Sequence, residues 1–231
     1  MWNELFITGN PNSLFCELLA NYTKLVDKQF IRILKIKQST ADLLNIQNLP
    51  FLITFDQTHI LGELEISQFL CKLAGKTDVL FGRTEDEINS HVKFITEFNA
   101  NSNKMAYLND MLFLNTFCNG NKHITVSDLY AFSHALIEIQ QFDYSAKRQH
   151  SNLIRWAVFI QSLQGIKEQI LKLKMCVKLP VNNNICNLNL FETETKPPVN
   201  VSINTSNTEL NDKKKEKGDK GKTEKPKGML N

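Results

Sequence analysis

Apolar residues along this chain keep two rhythms, and the change from one to the other divides it. In the first part, short β-type runs alternate with helical ones. Glu4-Leu5-Phe6-Ile7-Thr8 is a strand candidate closed by a turn at Gly9-Asn10-Pro11-Asn12. Leu14, Phe15, Leu18, Leu19 and Tyr22 then recur at helical spacing to about Lys24. Ile31-Arg32-Ile33-Leu34-Lys35-Ile36-Lys37 reads as a second strand from its β-branched content. Leu49-Pro50-Phe51-Leu52-Ile53-Thr54-Phe55 and His59-Ile60-Leu61 flank Asp56-Gln57-Thr58 as a tight hairpin. Ile66, Phe69, Leu70 and Leu73 form one helix face ending at Gly75, where glycine suits a left-handed cap.

After Lys76-Thr77-Asp78 the spacing is helical throughout. Ile88, Val92, Ile95 and Phe98 mark one helix, and Met105, Leu108, Leu112 and Phe113 a second. Thr125-Val126-Ser127-Asp128 is a helix-opening device, in which the Asp128 carboxylate reaches back to the Thr125 N–H. Leu129, Phe132, Leu136 and Ile139 continue that helix at near-helical spacing. Asn152-Leu153-Ile154-Arg155-Trp156 opens another, carried on by Phe159 and Ile160, and a final helix spans about 166 to 175. Two domains follow: residues 1 to 76, with the β-α-β-(irregular)-β-β-α order of a thioredoxin-like α/β unit, and residues 82 to 176, all α.

Composition refines this picture in three places. No run approaches the roughly 18 apolar residues of a membrane span, and the N-terminus lacks the basic and apolar regions of a signal peptide. Cys16, Cys71, Cys118, Cys176 and Cys186 are odd in number and widely spaced, which fits reduced thiols; with histidines equally scattered, no structural metal site is expected. Of the +3 net charge, residues 212 to 227 supply eight lysines against four acids, leaving the remainder near neutral. Residues 180 to 231, rich in Asn, Thr, Pro and Lys, bury too little apolar area to offset ordering entropy and are expected to be a disordered basic linker.

The capped helix followed by Arg155-Trp156 resembles the all-helical C-terminal domain of the glutathione S-transferase (GST) fold. Leu49-Pro50 stands where the N-terminal domain of that fold carries a cis proline, so the resemblance implies a cis bond there. Active members activate glutathione with a Tyr, Ser or Cys at the first strand-helix turn, where the candidates are Ser13 and Cys16. Each has a structural reading that stands ahead: Ser13 as a helix N-cap, Cys16 as a small buried hydrophobe. Glutathione-binding members also carry Glu/Gln-Ser entering the third helix, and Gly62-Glu63-Leu64-Glu65 puts leucine in place of that serine. No catalytic residue and no cofactor is expected.

A GST-like body followed by the run Lys213-Lys214-Lys215-Glu216-Lys217-Gly218-Asp219-Lys220 resembles the proteins that organise aminoacyl-tRNA synthetases, a family of interacting multifunctional proteins that includes parasite tRNA-import members. The 25 asparagines suit an AT-rich coding genome of that kind. The resemblance implies glutamyl-, glutaminyl- and methionyl-type synthetases as partners, and tRNA bound through the linker and an OB-fold domain that would follow it. It also implies a homodimer, a cytoplasmic location and an association with the plasma membrane without a membrane-spanning segment.

It places the docking contact on the helix bearing Arg155, flanked by Arg148, Asn152 and Phe159, with Asp128 as a cap first and an interface residue second. An exposed or intramolecularly paired Arg155 is the alternative, and Trp156 reads as core. Lys213, Lys214, Lys215, Lys217, Lys220 and Lys222 would add weak phosphate contacts, with no interleaved aromatics to stack on bases. The competing functions are a GST-type enzyme and the GST-like portion of an elongation factor 1 gamma chain.

Overall fold

The computed structural model describes residues 2–37, 39–40 and 49–180. Four strands form one mixed sheet in the order β2-β1-β3-β4: β1 (Asn3–Ile7), β2 (Ile31–Lys35), β3 (Phe51–Ile53) and β4 (His59–Leu61). β2 lies parallel to β1, while β3 and β4 run antiparallel to their neighbours, with Leu5 opposite Leu52 and Leu52 opposite Ile60. The ladder on β2 ends at Lys35, two residues before the β-branched run does. Leu49-Pro50 is cis, as the resemblance implied. The irregular stretch expected before it falls largely outside the described residues.

Helix α1 (Pro11–Tyr22) begins inside the segment expected to be a turn. Asn10 is its N-cap, accepting from the Ser13 N–H at 2.7 Å, and Pro11 at the first position loses nothing by lacking an N–H. Ser13 is therefore one turn inside the helix and does not cap it. Buried Asn3 clamps the sheet to its loops: its amide donates to the Phe30 carbonyl (2.9 Å) and accepts from the Phe55 N–H (3.0 Å). Helix α2 (Glu63–Leu73) closes as expected at Gly75, whose φ is +65°. The Lys76 and Gly75 N–H groups return to the carbonyls of Cys71 and Lys72, a Schellman ending.

Seven helices follow: α3 (Thr77–Leu80), α4 (Glu85–Ala100), α5 (Lys104–Met111), α6 (Val126–Ile139), α7 (Tyr144–Gln149), α8 (Ser151–Gln161) and α9 (Ile166–Leu173). The apolar spacing did not reveal α3 and α7, each too short to repeat an apolar face. α7 is started by Asp143, which accepts from the Ala146 N–H at 2.7 Å. α6 is buried on nearly every side, the mark of a helix running through a core. It touches α1, α4, α5 and α8. Phe15 of α1 meets Tyr130 of α6 edge-on at 5.2 Å, so the sheet layer and the helical layer share one apolar core.

Helix α9 returns to α1, where Gln169 donates to the buried Glu17 carboxylate at 2.7 Å, and Lys35 of β2 pairs with the same oxygen at 2.8 Å. Beyond α9, two side-chain amides hold the chain: Gln140 donates to the Met175 carbonyl (3.0 Å), and Gln161 accepts from the Val177 N–H (2.8 Å) and donates to the Val177 carbonyl (2.7 Å). Cys16, Cys71 and Cys118 are buried free thiols and Cys176 is an exposed one; Cys186 lies outside the described residues. No three His, Cys, Asp or Glu side chains cluster for a metal, and no helix is long and apolar enough to cross a membrane, among the described residues.

Gly165 sits where α9 meets α1, at φ +85°. A Cβ there would lie 2.7 Å from the Asn21 carbonyl oxygen and 3.1 Å from the Tyr22 Cα. Gly165→Ala is expected to cost roughly 1–3 kcal/mol from left-handed strain and backbone contact together. Gly9→Ala, with nothing within 4 Å, serves as the control. Urea midpoints of the two variants check this, with only the first displaced.

Candidate functional site: a hollow between helices five and eight

Helix α5 ends at Met111, and the chain after it turns outward. Leu112 is fully buried, whereas Phe113, expected on the same buried face, is 67% exposed and Leu114 is 86% exposed. One apolar residue completes the helix face; the next two have no interior left to enter. Two side chains hold this end of the helix. Asn115 donates to the Met111 carbonyl at 2.9 Å, and the Arg155 guanidinium donates to the Leu112 carbonyl at 3.0 Å. A cation on the last carbonyls of a helix satisfies orphan acceptors and complements its dipole.

Together Phe113, Leu114, Asn115 and Thr116 face Arg155, Trp156 and Phe159 of α8 across a hollow of about 390 Å³. Phe159 is 42% exposed and meets Phe117 edge-on at 5.8 Å. Trp156 is buried against Phe132, as a core residue, yet its indole N–H finds no acceptor among the described residues. A buried donor left unpaired costs free energy that an incoming acceptor would recover.

Of the residues chosen from sequence, Arg155 and Phe159 line the hollow. Arg155 is exposed and also bonded within its own chain, which is the alternative reading of it. Arg148 does not join them. The helical path breaks at His150, and Arg148 sits on α7 over the Tyr144 ring, 6.0 Å from its centroid. Asn152 is spent inside the molecule, its N–H bonded to the Asn109 side chain at 3.1 Å.

Asp128 is corrected outright as an interface residue, because it is fully buried. One carboxylate oxygen accepts from the Thr125 N–H (2.9 Å) and hydroxyl (3.0 Å), the other from the Cys118 N–H (2.8 Å). Burial pushes its pKa up to about 6 against those donors. Lys213, Lys214, Lys215, Lys217, Lys220 and Lys222 lie outside the described residues. The sequence reading missed Phe113, Leu114, Asn115 and Thr116 as site residues. Their available signal was two large apolar residues directly after a helix face already complete.

The transferase candidates have a different setting. Ser13 is buried and its hydroxyl accepts from the Thr8 N–H at 3.1 Å. Cys16 is fully buried, and burial, with the Glu63 carboxylate adding to it, holds the thiol pKa well above its ordinary range. Nearby, His134 of α6 reaches Asn12 at the start of α1, 3.1 Å between Nε2 and Oδ1. Leu64 is half-buried, its carbonyl accepting from the Ser67 hydroxyl at 2.7 Å.

Among solved structures, the chain superposes on the GST-like domain of elongation factor 1-gamma from Saccharomyces cerevisiae with a TM-score of 0.58, at 15% identity over 78% of this chain and 98% of that one. Glutathione S-transferase unclassified 2 from Bombyx mori gives 0.57 at 16% identity, covering 73% and 92%. URE2P6 from Phanerochaete chrysosporium gives 0.60 at 11% identity, covering 75% and 98%. The fold is GST-like. No protein-family model matches the sequence, and no curated protein does. At such identities the likeness establishes the fold alone, and it falls on GST enzymes and on a translation-factor domain alike.

In this GST-like body, His134 ties the two layers together, and burial, followed by the Lys104 charge, lowers its pKa to about 4. An unfolded histidine titrates near 6.5, so the unfolded chain binds the proton first as pH falls. The stability due to neutral His134 is full above about pH 6.5 and drains as pH drops toward 4. His134→Gln is expected to flatten the fall in melting temperature between pH 7 and 4.5, by an amount of order 2 kcal/mol. Thermal scans of both proteins across that range measure it.

Proposed function

We propose that this GST-like chain is a non-catalytic docking module of a tRNA-binding scaffold that assembles aminoacyl-tRNA synthetases. The observation that carries the reading is the hollow at Arg155: exposed Phe113, Leu114 and Phe159 line it together with Trp156, whose buried indole N–H has no acceptor among the described residues. Aromatic and arginine side chains around a central hollow are the composition of interface hot spots. An apolar patch with a forked cation suits a partner helix that brings an apolar anchor and a carboxylate. Glutamyl-, glutaminyl- and methionyl-type synthetases are the proposed partners. tRNA engages through Lys213 to Lys222 and through a further domain of the kind that follows such linkers. The finer likeness proposed is to the tRNA import protein of malaria parasites, with a cytoplasmic location, a homodimeric state and a plasma-membrane association.

Two rival readings have observations of their own. The yeast elongation factor 1-gamma domain favours the GST-like portion of an elongation factor 1 gamma chain, a reading that predicts a guanine-nucleotide exchange subunit as partner. The Bombyx mori neighbour favours a transferase. Against the latter, Ser13 and Cys16 are both closed off from solvent, and the Cys16 thiol is disfavoured as a thiolate.

Size-exclusion chromatography of the full chain mixed with each recombinant synthetase tests the proposal. Co-elution is expected for at least one. Leu114→Glu, at a position so exposed that folding is indifferent to it, is expected to weaken the complex about 30-fold with an unchanged melting temperature. Arg155→Ala weakens it too and also releases the end of α5. Retention on immobilised glutathione with thiol-conjugating activity, and no synthetase co-eluting, overturns the scaffold reading. Capture of an exchange subunit in place of a synthetase selects the elongation-factor reading.

A further inference from the structure

Strand β2 ends the sheet, and its outer side meets no strand among the described residues. Ile36 donates to the Ile7 carbonyl at 3.0 Å, so the alternation of a parallel ladder turns the backbone of Leu34 and Arg32 toward β1 and leaves the N–H and C=O groups of Ile33 and Lys35 facing outward. The Ile31 N–H, outward by the same rule, is taken by the Leu25 carbonyl at 3.4 Å, which closes the edge at its N-terminal end. A bare edge of this kind is a template for a further strand, and proteins either guard it or use it to bind.

Side chains along the edge sort by face, with Ile31, Ile33 and Lys35 on one side of the sheet and Arg32 and Leu34 on the other. Beside the edge, Trp2, Val26, Gln29, Ile31, Arg32 and Ile33 line a shallow hollow of about 430 Å³. Trp2 and Phe30 are about half exposed. The surrounding charge is one-sided: residues 24 to 37 carry Lys24, Lys28, Arg32, Lys35 and Lys37 against a single acid, Asp27. Lys35 is spent on buried Glu17 at 2.8 Å, and exposed Arg32 lies 3.9 Å from Glu4. Lys24 and Lys28 belong to the loop whose Val26 and Gln29 wall the hollow, and they have no ion pair among the described residues.

This charge selects the occupant. A second copy of the chain, pairing β2 to β2, would lay one basic row against another, and like charges opposite each other destabilise a sheet. A nucleic acid would meet the cations, yet its phosphates have no use for the outward carbonyls of Ile33 and Lys35. An extended peptide satisfies the N–H and C=O groups together, and acidic side chains on it meet the cations.

We propose that the outer edge of β2 binds an acidic, extended peptide segment of a partner protein, which adds as an antiparallel fifth strand. Its apolar residues share the face of Ile31 and Ile33, and the carboxylates alternating with them reach Arg32 and Lys28. Residues directly opposite Ile33 and Lys35 lie on that apolar face and turn their own N–H and C=O groups inward. The peptide therefore pairs through its apolar residues, while the acidic residues between them turn their backbone to water. The inference goes beyond the docking reading of the Arg155 hollow and does not depend on it.

Binding of the fluorescein-labelled peptide Glu-Val-Glu-Val-Glu-Val-Glu to the full chain, read by anisotropy, tests the proposal. Lys28→Glu/Arg32→Glu is expected to weaken it about tenfold and to bind Lys-Val-Lys-Val-Lys-Val-Lys in its place, which separates charge pairing from misfolding. Methylating the valine backbone nitrogens abolishes binding, and methylating the glutamate ones leaves it. Hydrogen exchange with the peptide at saturation is expected to slow the Ile33 and Lys35 amides about tenfold, with Leu34, already bonded to β1, unchanged. Equal binding of the valine-methylated peptide overturns the proposal in favour of charge attraction alone. Ile33 and Lys35 amides as slow as Leu34 without peptide overturn it in favour of an edge covered by the chain itself, or by a second copy if the slowing rises with protein concentration. A uridine oligonucleotide that displaces the peptide, with neither amide slowed by the peptide, overturns it in favour of RNA.

Discussion

The Asp128 carboxylate joins two stretches of chain in a dry interior. It takes the N–H and hydroxyl of Thr125 on one oxygen and the N–H of Cys118 on the other. Those backbone donors are orphans of a helix start and of a tight turn, and water does not reach them. With them satisfied, α6 can begin inside the protein, where a helix end would otherwise be prohibitively costly. Its starting point fixes which residues face α1, α4, α5 and α8, and so the placing of all four. The Phe15–Tyr130 contact, and through it the seating of the sheet on the helical layer, depends on that one ionisable group.

Much of this architecture could be read from residue spacing. The strands, the hairpin, the Gly75 ending, the Thr125–Asp128 device and the long helices all have local signals that tertiary packing did not override. Where reading failed, the causes were specific. Asn10 turned an apparent loop into a helix start, because a cap and a turn use the same residue types. α3 and α7 are shorter than the repeat by which an apolar face is recognised.

The site was only half legible for a related reason. Arg155 and Phe159 stand on a helix whose periodicity announces it. Phe113 and Leu114 belong to no periodic element, and the same apolarity that suggested burial in fact marks exposure. Only the end of α5, set by Asn115 and Arg155 in three dimensions, distinguishes the two. Asp128 shows the converse: a carboxylate read as a cap first and an interface residue second is fully buried and spent on the Thr125 N–H and hydroxyl and the Cys118 N–H.

Val177 has a mechanical meaning. A single glutamine side chain grips both its N–H and its carbonyl, as a strand one residue long would, and its own side chain is buried. Gln161 is the last residue of α8, the helix that carries Arg155 and Phe159. A pull on any later part of the chain therefore loads α8 before it can peel α9 from α1. Load applied at Val177 thus reaches the same helix that lines the hollow at Arg155, so tension on the chain and any change in that hollow act on one element.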